Sequence, residues 1–235
     1  MRVTGVIFDC DGTLLDTMGA WRGAERELAG RAGAKLSCDD VALLNTLTVD
    51  EAGEFFHGKF SVGANAREVA DQLQNLVVGH YALAVQPRSG ALEFVRALRS
   101  LGIRMGVASS SPKHLLEIGL GHAGLRECFS IVASTDDVNA SKRSPDVYEY
   151  ARAFLGTARE ETWVFEDASY ALRTLARAGY HTVGIHDRDD SGTFDELSAL
   201  ADLAVRGYED IDLIEFAAGR YAREKPVCEA LVGVR

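Results

Sequence analysis

The chain has 235 residues, of which 47% are hydrophobic and 26% are charged, and its formal net charge is −10. This composition is ordinary for a globular protein with one sizeable core, alone or with a smaller second domain. The charge excludes the basic surface with which proteins bind nucleic acids or anionic membranes. No stretch approaches the roughly 20 apolar residues of a membrane-spanning helix, and the amino terminus does not resemble a signal peptide. We therefore expect a cytoplasmic protein, a monomer or weak homodimer, with no nucleic-acid or membrane partner.

Short, almost continuously apolar runs predict four buried strands and two weaker ones, in chain order 3–9, 103–110, 129–134 (weaker), 162–167, 181–187 and 201–206 (weaker). Such runs are typical of strands covered on both faces. Helical patterns separate them, including one with Ser89 as its predicted N-cap and one that opens with Ser144 as N-cap before Pro145. Strands that alternate with helices predict an α/β fold with a doubly wound, Rossmann-like parallel sheet.

Residues 17–86 interrupt this alternation because they contain helical patterns and no convincing strand. Four such patterns follow one another, over residues 20–33, 39–47, 50–60 and 65–84. The sequence therefore predicts a catalytic core of residues 1–16 and 87–235 with a helical domain inserted at 17–86. Ligands of doubly wound sheets bind beyond the carboxyl ends of the strands. An insertion directly after the first strand is therefore expected to cover the site as a lid.

Polar and charged side chains follow the predicted strands, where they are expected to converge. Asp9 and Asp11 are two residues apart, so their side chains can point the same way, and their charges would repel without a cation between them. The other candidates are uncharged donors after the second strand, one lysine and a second acidic pair, namely Ser109, Ser110, Lys142, Glu166 and Asp167. Clustered carboxylates suit Mg²⁺, and a lysine with a serine suits the oxygens of a phosphoryl group.

Four segments then resemble, in order, the motifs of the haloacid dehalogenase-like phosphohydrolases. They are DCDGT (residues 9–13), VASSSP (107–112), SKRSPDVY (141–148) and VFEDASYALRTLARAG (164–179). The helical insertion is similar to the cap of the subclass that includes phosphatases and beta-phosphoglucomutases. The resemblance implies a Mg²⁺-dependent phosphomonoester hydrolase that acts on a small phosphorylated metabolite through an aspartyl-phosphate intermediate.

The resemblance also implies a role for each matching residue. Asp9 would be the nucleophile, and Asp11 would protonate the leaving group and then activate water. Ser109 and Lys142 would hold the oxygens of the transferred phosphoryl group, next to Gly12 and Ser110 as further phosphate-binding positions. The metal ligands would be Asp9, Asp11 through its backbone carbonyl, and Asp167, with Glu166 as either a direct or an outer-sphere ligand.

Two departures from the family pattern bear on alternative functions. Trp21 stands where phosphosugar mutases tend to have a histidine, and residues 43–56 contain no Lys or Arg with which a cap could grip a second phosphate. A mutase is therefore the disfavoured enzymatic alternative, and Trp21 is predicted to belong to the core of the cap. A non-catalytic phosphate-binding protein is the other alternative, although the full set of matching site residues argues against it. A further departure is Arg143, which stands where the family usually has a proline, so the resemblance does not predict the geometry of this loop.

Overall fold

The computed structural model describes residues 2–187 and 192–223. Its strands are β1 Gly5–Phe8, β2 Arg104–Ser109, β3 Ile131–Ser134, β4 Thr162–Glu166, β5 His181–Ile185 and β6 Leu203–Val205. They form one sheet in the order β3-β2-β1-β4-β5-β6, and every neighbouring pair is parallel. All six predicted strands are present, and the doubly wound parallel sheet is confirmed. The predicted core also includes residues 188–191 and 224–235, which lie outside the described residues.

The helices in chain order are α1 Met18–Arg31, α2 Cys38–Leu44, α3 Val49–Phe60, α4 Ala66–Leu83, α5 Ala91–Ser100, α6 Lys113–His122, α7 Asp146–Leu155, α8 Ser169–Ala178, α9 Phe194–Leu200 and α10 Leu213–Ala217. None of the helices in the described ranges is long and apolar enough to cross a membrane. Adjacent residues of β1 enter different cores: Phe8 packs in a cluster with Phe94 of α5, and Ile7 in one with Tyr148 of α7. Both faces of the sheet are therefore covered, which explains the continuous apolar runs.

Strand β1 lies at the centre of the sheet, and its register aligns three strand ends. Phe8, its last residue, is paired with Val107 of β2 and with Phe165 of β4. Residues just beyond these positions on the three strands therefore emerge side by side. Strands β2 and β3 lie on one side of β1, and strands β4 to β6 lie on the other side. The direction in which strands are added therefore reverses at β1, and doubly wound sheets bind ligands at the edge where this reversal occurs.

Helices α1–α4, which we call the helical insertion, share a hydrophobic cluster that Leu115 of α6 also joins. Phe56, Leu73 and Val77 are among its fully buried members. The chain enters and leaves the insertion through two segments that pair with each other. Leu15 forms a bridge with Pro87, and the backbone N–H of Asp16 donates to the carbonyl of Gln86 at 3.0 Å. The insertion thus joins the sheet through one short two-stranded connection.

Two predicted helix starts are wrong. Helix α5 has Gly90 rather than Ser89 as its N-cap; Gly90 adopts a φ of 75°, and no side chain caps the helix. Helix α7 has Pro145 at the N-cap and begins at Asp146. The Ser144 hydroxyl donates instead to the Asp146 carboxylate and to the carbonyl of Ser141, so it caps no backbone N–H. In both helices the preceding loop follows a tertiary path that overrides the local capping preference.

Candidate active site

Asp9 and Lys142 form the centre of the site. Asp9 directly follows β1, and its backbone N–H donates to the carbonyl of Phe165 at 2.9 Å, which ties it to the end of β4. The Lys142 ammonium, on the loop before α7, donates to the carboxylates of both Asp9 and Glu166. All three side chains are at least nine-tenths buried. Lys142 therefore bridges residues from two neighbouring strand ends.

The buried charges perturb one another. Burial raises the pKa of Asp9 well above its ordinary value, Lys142 opposes that rise, and the nearby Glu166 and Asp167 carboxylates add to it. Burial alone would lower the pKa of Lys142, but the charges of Asp9 and Glu166 raise it. Lys142 therefore carries its positive charge at neutral pH, but it cannot by itself offset three carboxylates. A further cation would keep Asp9 ionised.

A divalent metal ion fits the donor set at this point. Asp9, Glu166 and Asp167 each offer a carboxylate oxygen, and these oxygens lie within 4.8 Å of one another. Glu166 already accepts hydrogen bonds on both oxygens, from Tyr148 at 2.6 Å and from the backbone N–H of Ala168 at 3.3 Å. Buried carboxylate oxygens of this kind are the ligands that Mg²⁺ prefers. The arrangement favours Asp9 and Asp167 as metal ligands and Glu166 as the residue that orients Lys142.

The Asp11 carboxylate points away from this cluster into a ring of hydroxyl groups. Its Oδ1 accepts from Thr17 at 2.6 Å and from Tyr81. Its Oδ2 accepts from Ser111 at 2.6 Å, and the Ser109 hydroxyl lies 3.5 Å away. Because a hydroxyl can donate or accept, this ring can hold Asp11 with or without a proton. Such a setting suits a group that gives up and takes back a proton.

The predicted site residues converge on a cavity of about 110 Å³. Those that line it are Asp9, Asp11, Ser109, Ser110, Lys142, Glu166 and Asp167. Gly12 is not among the lining residues; it adopts a φ of +85°, which brings the loop so close to Asp167 that a Cβ atom at this position would be 2.5 Å from Oδ2. Gly12 therefore lies against the carboxylate of Asp167. The helical insertion lines the opposite side with mostly apolar residues.

Several residues of the site carry no signal in the sequence. Tyr81 is on α4, seventy positions from Asp11, and its hydroxyl also accepts a hydrogen bond from the indole N–H of Trp21 at 2.8 Å. Trp21 packs in the core of the insertion, as predicted, and also lines the cavity. Arg22 on α1 lines the cavity as well. Residues 43–56, which contain no Lys or Arg, therefore do not account for every charge that the insertion brings to the cavity.

Comparison with known proteins agrees with this geometry. The family model described as haloacid dehalogenase-like hydrolase matches residues 3–179. Fructose-1-phosphate phosphatase YqaB of Escherichia coli is 30% identical over 78% of this chain and 97% of its own length. Validoxylamine A 7'-phosphate phosphatase of Streptomyces hygroscopicus is 28% identical over 83% of this chain and 91% of its own.

A solved structure shares the fold at lower identity. The beta-phosphoglucomutase of Clostridium difficile has a TM-score of 0.77 and 21% identity, over 93% of this chain and 98% of that one. At this identity the likeness concerns the fold alone. The matched family model and the phosphatase relatives show that the chain is a phosphatase of the haloacid dehalogenase-like hydrolase family.

Proposed function

We propose that this chain is a Mg²⁺-dependent phosphomonoester hydrolase that acts on a small phosphorylated metabolite through an aspartyl-phosphate on Asp9. The observation that carries the proposal is the position of Lys142, which holds the Asp9 and Glu166 carboxylates together beside Asp167. A carboxylate fixed in this way, with a second carboxyl group two residues along the chain, supports both nucleophilic attack and proton transfer.

In the first step, an Asp9 carboxylate oxygen attacks phosphorus and the bond to the leaving oxygen breaks. Protonated Asp11 gives its proton to that oxygen, so an alcohol departs. Ser109 and Lys142 donate hydrogen bonds to the oxygens of the transferred phosphoryl group. A Mg²⁺ ion held by Asp9, Asp167 and the backbone carbonyl of Asp11 would supply the positive charge that lets a carboxylate approach a dianionic phosphate.

In the second step, ionised Asp11 takes a proton from a water molecule that attacks the aspartyl-phosphate. The bond between phosphorus and Asp9 breaks, inorganic phosphate leaves, and both carboxyl groups return to their starting states. The hydroxyl groups of Thr17, Tyr81 and Ser111 keep Asp11 in one orientation throughout the cycle. Because Tyr81 belongs to the helical insertion, the position of the insertion affects the orientation of the proton donor.

We further propose that residues 17–86 are a cap that closes over a core of residues 1–16 and 87–235. Three features support this division: a hydrophobic cluster that consists mainly of residues of the insertion, the paired segments that join it to the sheet, and its contribution to the wall of the cavity. Hinges near residues 15–17 and 86–89 would let substrate enter, and closure would exclude water from the phosphoryl group.

A phosphosugar mutase is the rival within the same fold. Arg22 on α1 is the cation that the insertion brings to the lining of the cavity among the described residues. However, Glu25 forms an ion pair with Arg22 at 2.6 Å, which leaves little net charge for a second phosphate. A mutase would interconvert hexose 1- and 6-phosphates without net release of phosphate, so one assay of both products separates the two functions.

The test is the release of inorganic phosphate from a panel of phosphorylated sugars, polyols and organic acids, with Mg²⁺ and with EDTA. We expect Mg²⁺-dependent release by the unchanged protein and a loss on the order of 10⁴-fold or more in Asp9→Asn, since the nucleophile is removed. Intact mass spectrometry after an acid quench should find one added phosphoryl group, absent from that variant. Asp39→Asn, at an exposed aspartate of α2, is the matched control and should keep full activity. Unchanged turnover in Asp9→Asn would refute the proposed mechanism.

A further inference from the structure

Arg22 is an unusual cavity residue because much of its hydrogen-bonding capacity is unused. The residue lies on α1 and is only 4% exposed. Its Nη1 donates to Glu25 at 2.6 Å, whereas Nε and Nη2 are buried and have no hydrogen-bond partner within the described part of the chain. A buried donor without an acceptor is unfavourable, and more so when it is charged. Two such donors on one side chain beside a cavity indicate a ligand or ordered water as their acceptor.

The charges around the cavity indicate what kind of group could bind there. Of the described residues that line it, five are carboxylates (Asp9, Asp11, Glu25, Glu166 and Asp167) and two are cations (Arg22 and Lys142). Lys142 is engaged by Asp9 and Glu166, and Arg22 is neutralised by Glu25. No lining cation therefore remains to hold a second phosphate or a carboxylate, because either would bring uncompensated negative charge into a buried space.

An uncharged group with several hydroxyls matches the remaining hydrogen-bonding capacity of Arg22 and Glu25 better than a second anion does. The Arg22 guanidinium has two remaining donors, Nε and Nη2, in one fixed plane, and the adjacent carboxylate of Glu25 can accept hydrogen bonds. Two neighbouring hydroxyl oxygens can accept from Nε and Nη2 while their hydrogens are donated towards Glu25. Asn45 and Thr48 add polar atoms to the same wall, and Trp21 provides an apolar surface for carbon-bound hydrogens.

We propose that the Arg22–Glu25 pair binds the hydroxyl groups at the end of the substrate remote from the phosphate. The substrate is then the phosphate monoester of a polyol or sugar, with one phosphate and neighbouring free hydroxyls. This inference rests on the proposed phosphatase function and names its substrate class.

The test compares glucitol 6-phosphate, hexyl phosphate and fructose 1,6-bisphosphate as substrates of matched length. We expect the unchanged enzyme to have its highest kcat/KM for glucitol 6-phosphate. In Arg22→Met the ratio of kcat/KM for glucitol 6-phosphate to that for hexyl phosphate should fall about 10- to 100-fold, because one or two charge-assisted hydrogen bonds are lost. Arg26→Met, at an exposed arginine of the same helix, should keep this ratio within about twofold.

Glu25→Gln separates a hydroxyl site from an anion site. Removal of the carboxylate leaves the charge of Arg22 uncompensated, so kcat/KM for fructose 1,6-bisphosphate should rise while that for glucitol 6-phosphate falls. A preference of the unchanged enzyme for the bisphosphate, lost in Arg22→Met, would overturn the proposal in favour of a second phosphate site. An equal loss for glucitol 6-phosphate and hexyl phosphate would also overturn it, since Arg22 would then be structural.

Two further measurements keep the outcome decisive. If Arg22→Met does not fold, Arg22→Lys keeps the ion pair with Glu25 but removes the planar fork, and the same fall in the ratio is expected. If no variant and no substrate releases phosphate, the proposed function itself fails. Thermal shifts with glucitol 6-phosphate and hexyl phosphate then test the site: the stabilisation by the polyol ester should exceed that by hexyl phosphate in the unchanged protein and not in Arg22→Met. Equal thermal shifts with the two compounds in the unchanged protein would refute the proposed hydroxyl-binding site.

Discussion

At the scale of single residues, Gly12 shows how backbone and chemistry constrain each other. Its φ of +85° is in the left-handed region, which costs a residue with a Cβ atom about 1–2 kcal/mol. A Cβ atom would also lie 2.5 Å from Oδ2 of Asp167, a carboxylate that we propose as a metal ligand. The glycine of the DCDGT segment thus serves both the turn and the close approach of the loop to Asp167.

We expect Gly12→Ala to lose activity beyond the cost of backbone strain, because Asp167 must move. The concentration of Mg²⁺ that gives half-maximal activity should rise, and kcat should fall by about 10-fold or more. Steady-state rates measured against Mg²⁺ concentration, together with urea unfolding, check both parts.

Gly102→Ala is the matched control for this variant. Gly102 has a similar φ of +73°, but nothing lies within 4 Å of its added Cβ atom. Both variants should lose about 1–2 kcal/mol of unfolding free energy to backbone strain. Gly12→Ala should lose more than this, because its Cβ atom also meets Asp167, and only Gly12→Ala should alter the response to Mg²⁺. An unchanged Mg²⁺ response in Gly12→Ala would contradict the proposed role of Asp167.

At the scale of elements, the loop before α7 connects the chemistry to the helical insertion. Lys142 reaches the buried carboxylates, and the next residue, Arg143, reaches the insertion. Its Nη1 lies 3.2 Å from a carboxylate oxygen of Glu51 on α3, and its Nη2 donates to the Thr46 hydroxyl at 2.7 Å. The arginine that replaces the usual proline therefore forms a contact between the core and the insertion.

If the insertion is a cap, Arg143→Ala should weaken its closed position. We expect KM to rise about two- to fivefold while the unfolding free energy changes by less than about 1 kcal/mol, since the ion pair is solvent-exposed. Substrate-saturation kinetics and a thermal melt measure the two effects separately. Arg67→Ala removes exposed ion pairs that lie within the insertion, with Asp50 and Asp71, and should leave KM unchanged. Equal KM values for both variants would count against closure through Arg143.

At the scale of the whole molecule, the acidic balance makes the site a source of instability. The chain carries a net charge of −10, and at the ends of β1 and β4 one buried ammonium pairs with Asp9 and Glu166, with the Asp167 carboxylate close to both of these carboxylates. Like charges held together in this way are costly, and a bound cation relieves the cost. Metal binding should therefore stabilise the fold as well as support the chemistry.

We expect saturating Mg²⁺ to raise the melting temperature. At a concentration 100 times the dissociation constant the gain is about 2.7 kcal/mol, which corresponds to about 5–10 °C for a chain of this size. Differential scanning calorimetry with MgCl₂, and with NaCl at equal ionic strength as the control, measures it. The rise should shrink strongly in Asp167→Asn; an equal rise in that variant would exclude Asp167 as a ligand.

The strands and their order along the chain could be read from the sequence because their signals are local. In residues 162–167 the apolar Trp163, Val164 and Phe165 are consecutive, and β4 spans Thr162–Glu166, within one residue of the predicted run. Helix starts were less predictable: Ser89 and Ser144 are good capping residues, but neither caps its helix. The path of the preceding loop is set by contacts with distant parts of the chain, which local preference does not contain.

For the site, the division between sequence and tertiary structure is clear. Asp9, Asp11, Lys142 and Asp167 could be identified from the sequence, since each stands in a short motif or directly after a strand whose end meets the others in a parallel sheet. Tyr81 and Arg22 could not, because a helix surface presents many side chains and the sequence does not say which one faces the core. The sequence by itself determined the fold class, the order of the strands along the chain and the acidic centre. Only the packing of the helical insertion against the sheet decided which of its side chains complete the cavity, because that choice depends on contacts between residues far apart in the chain.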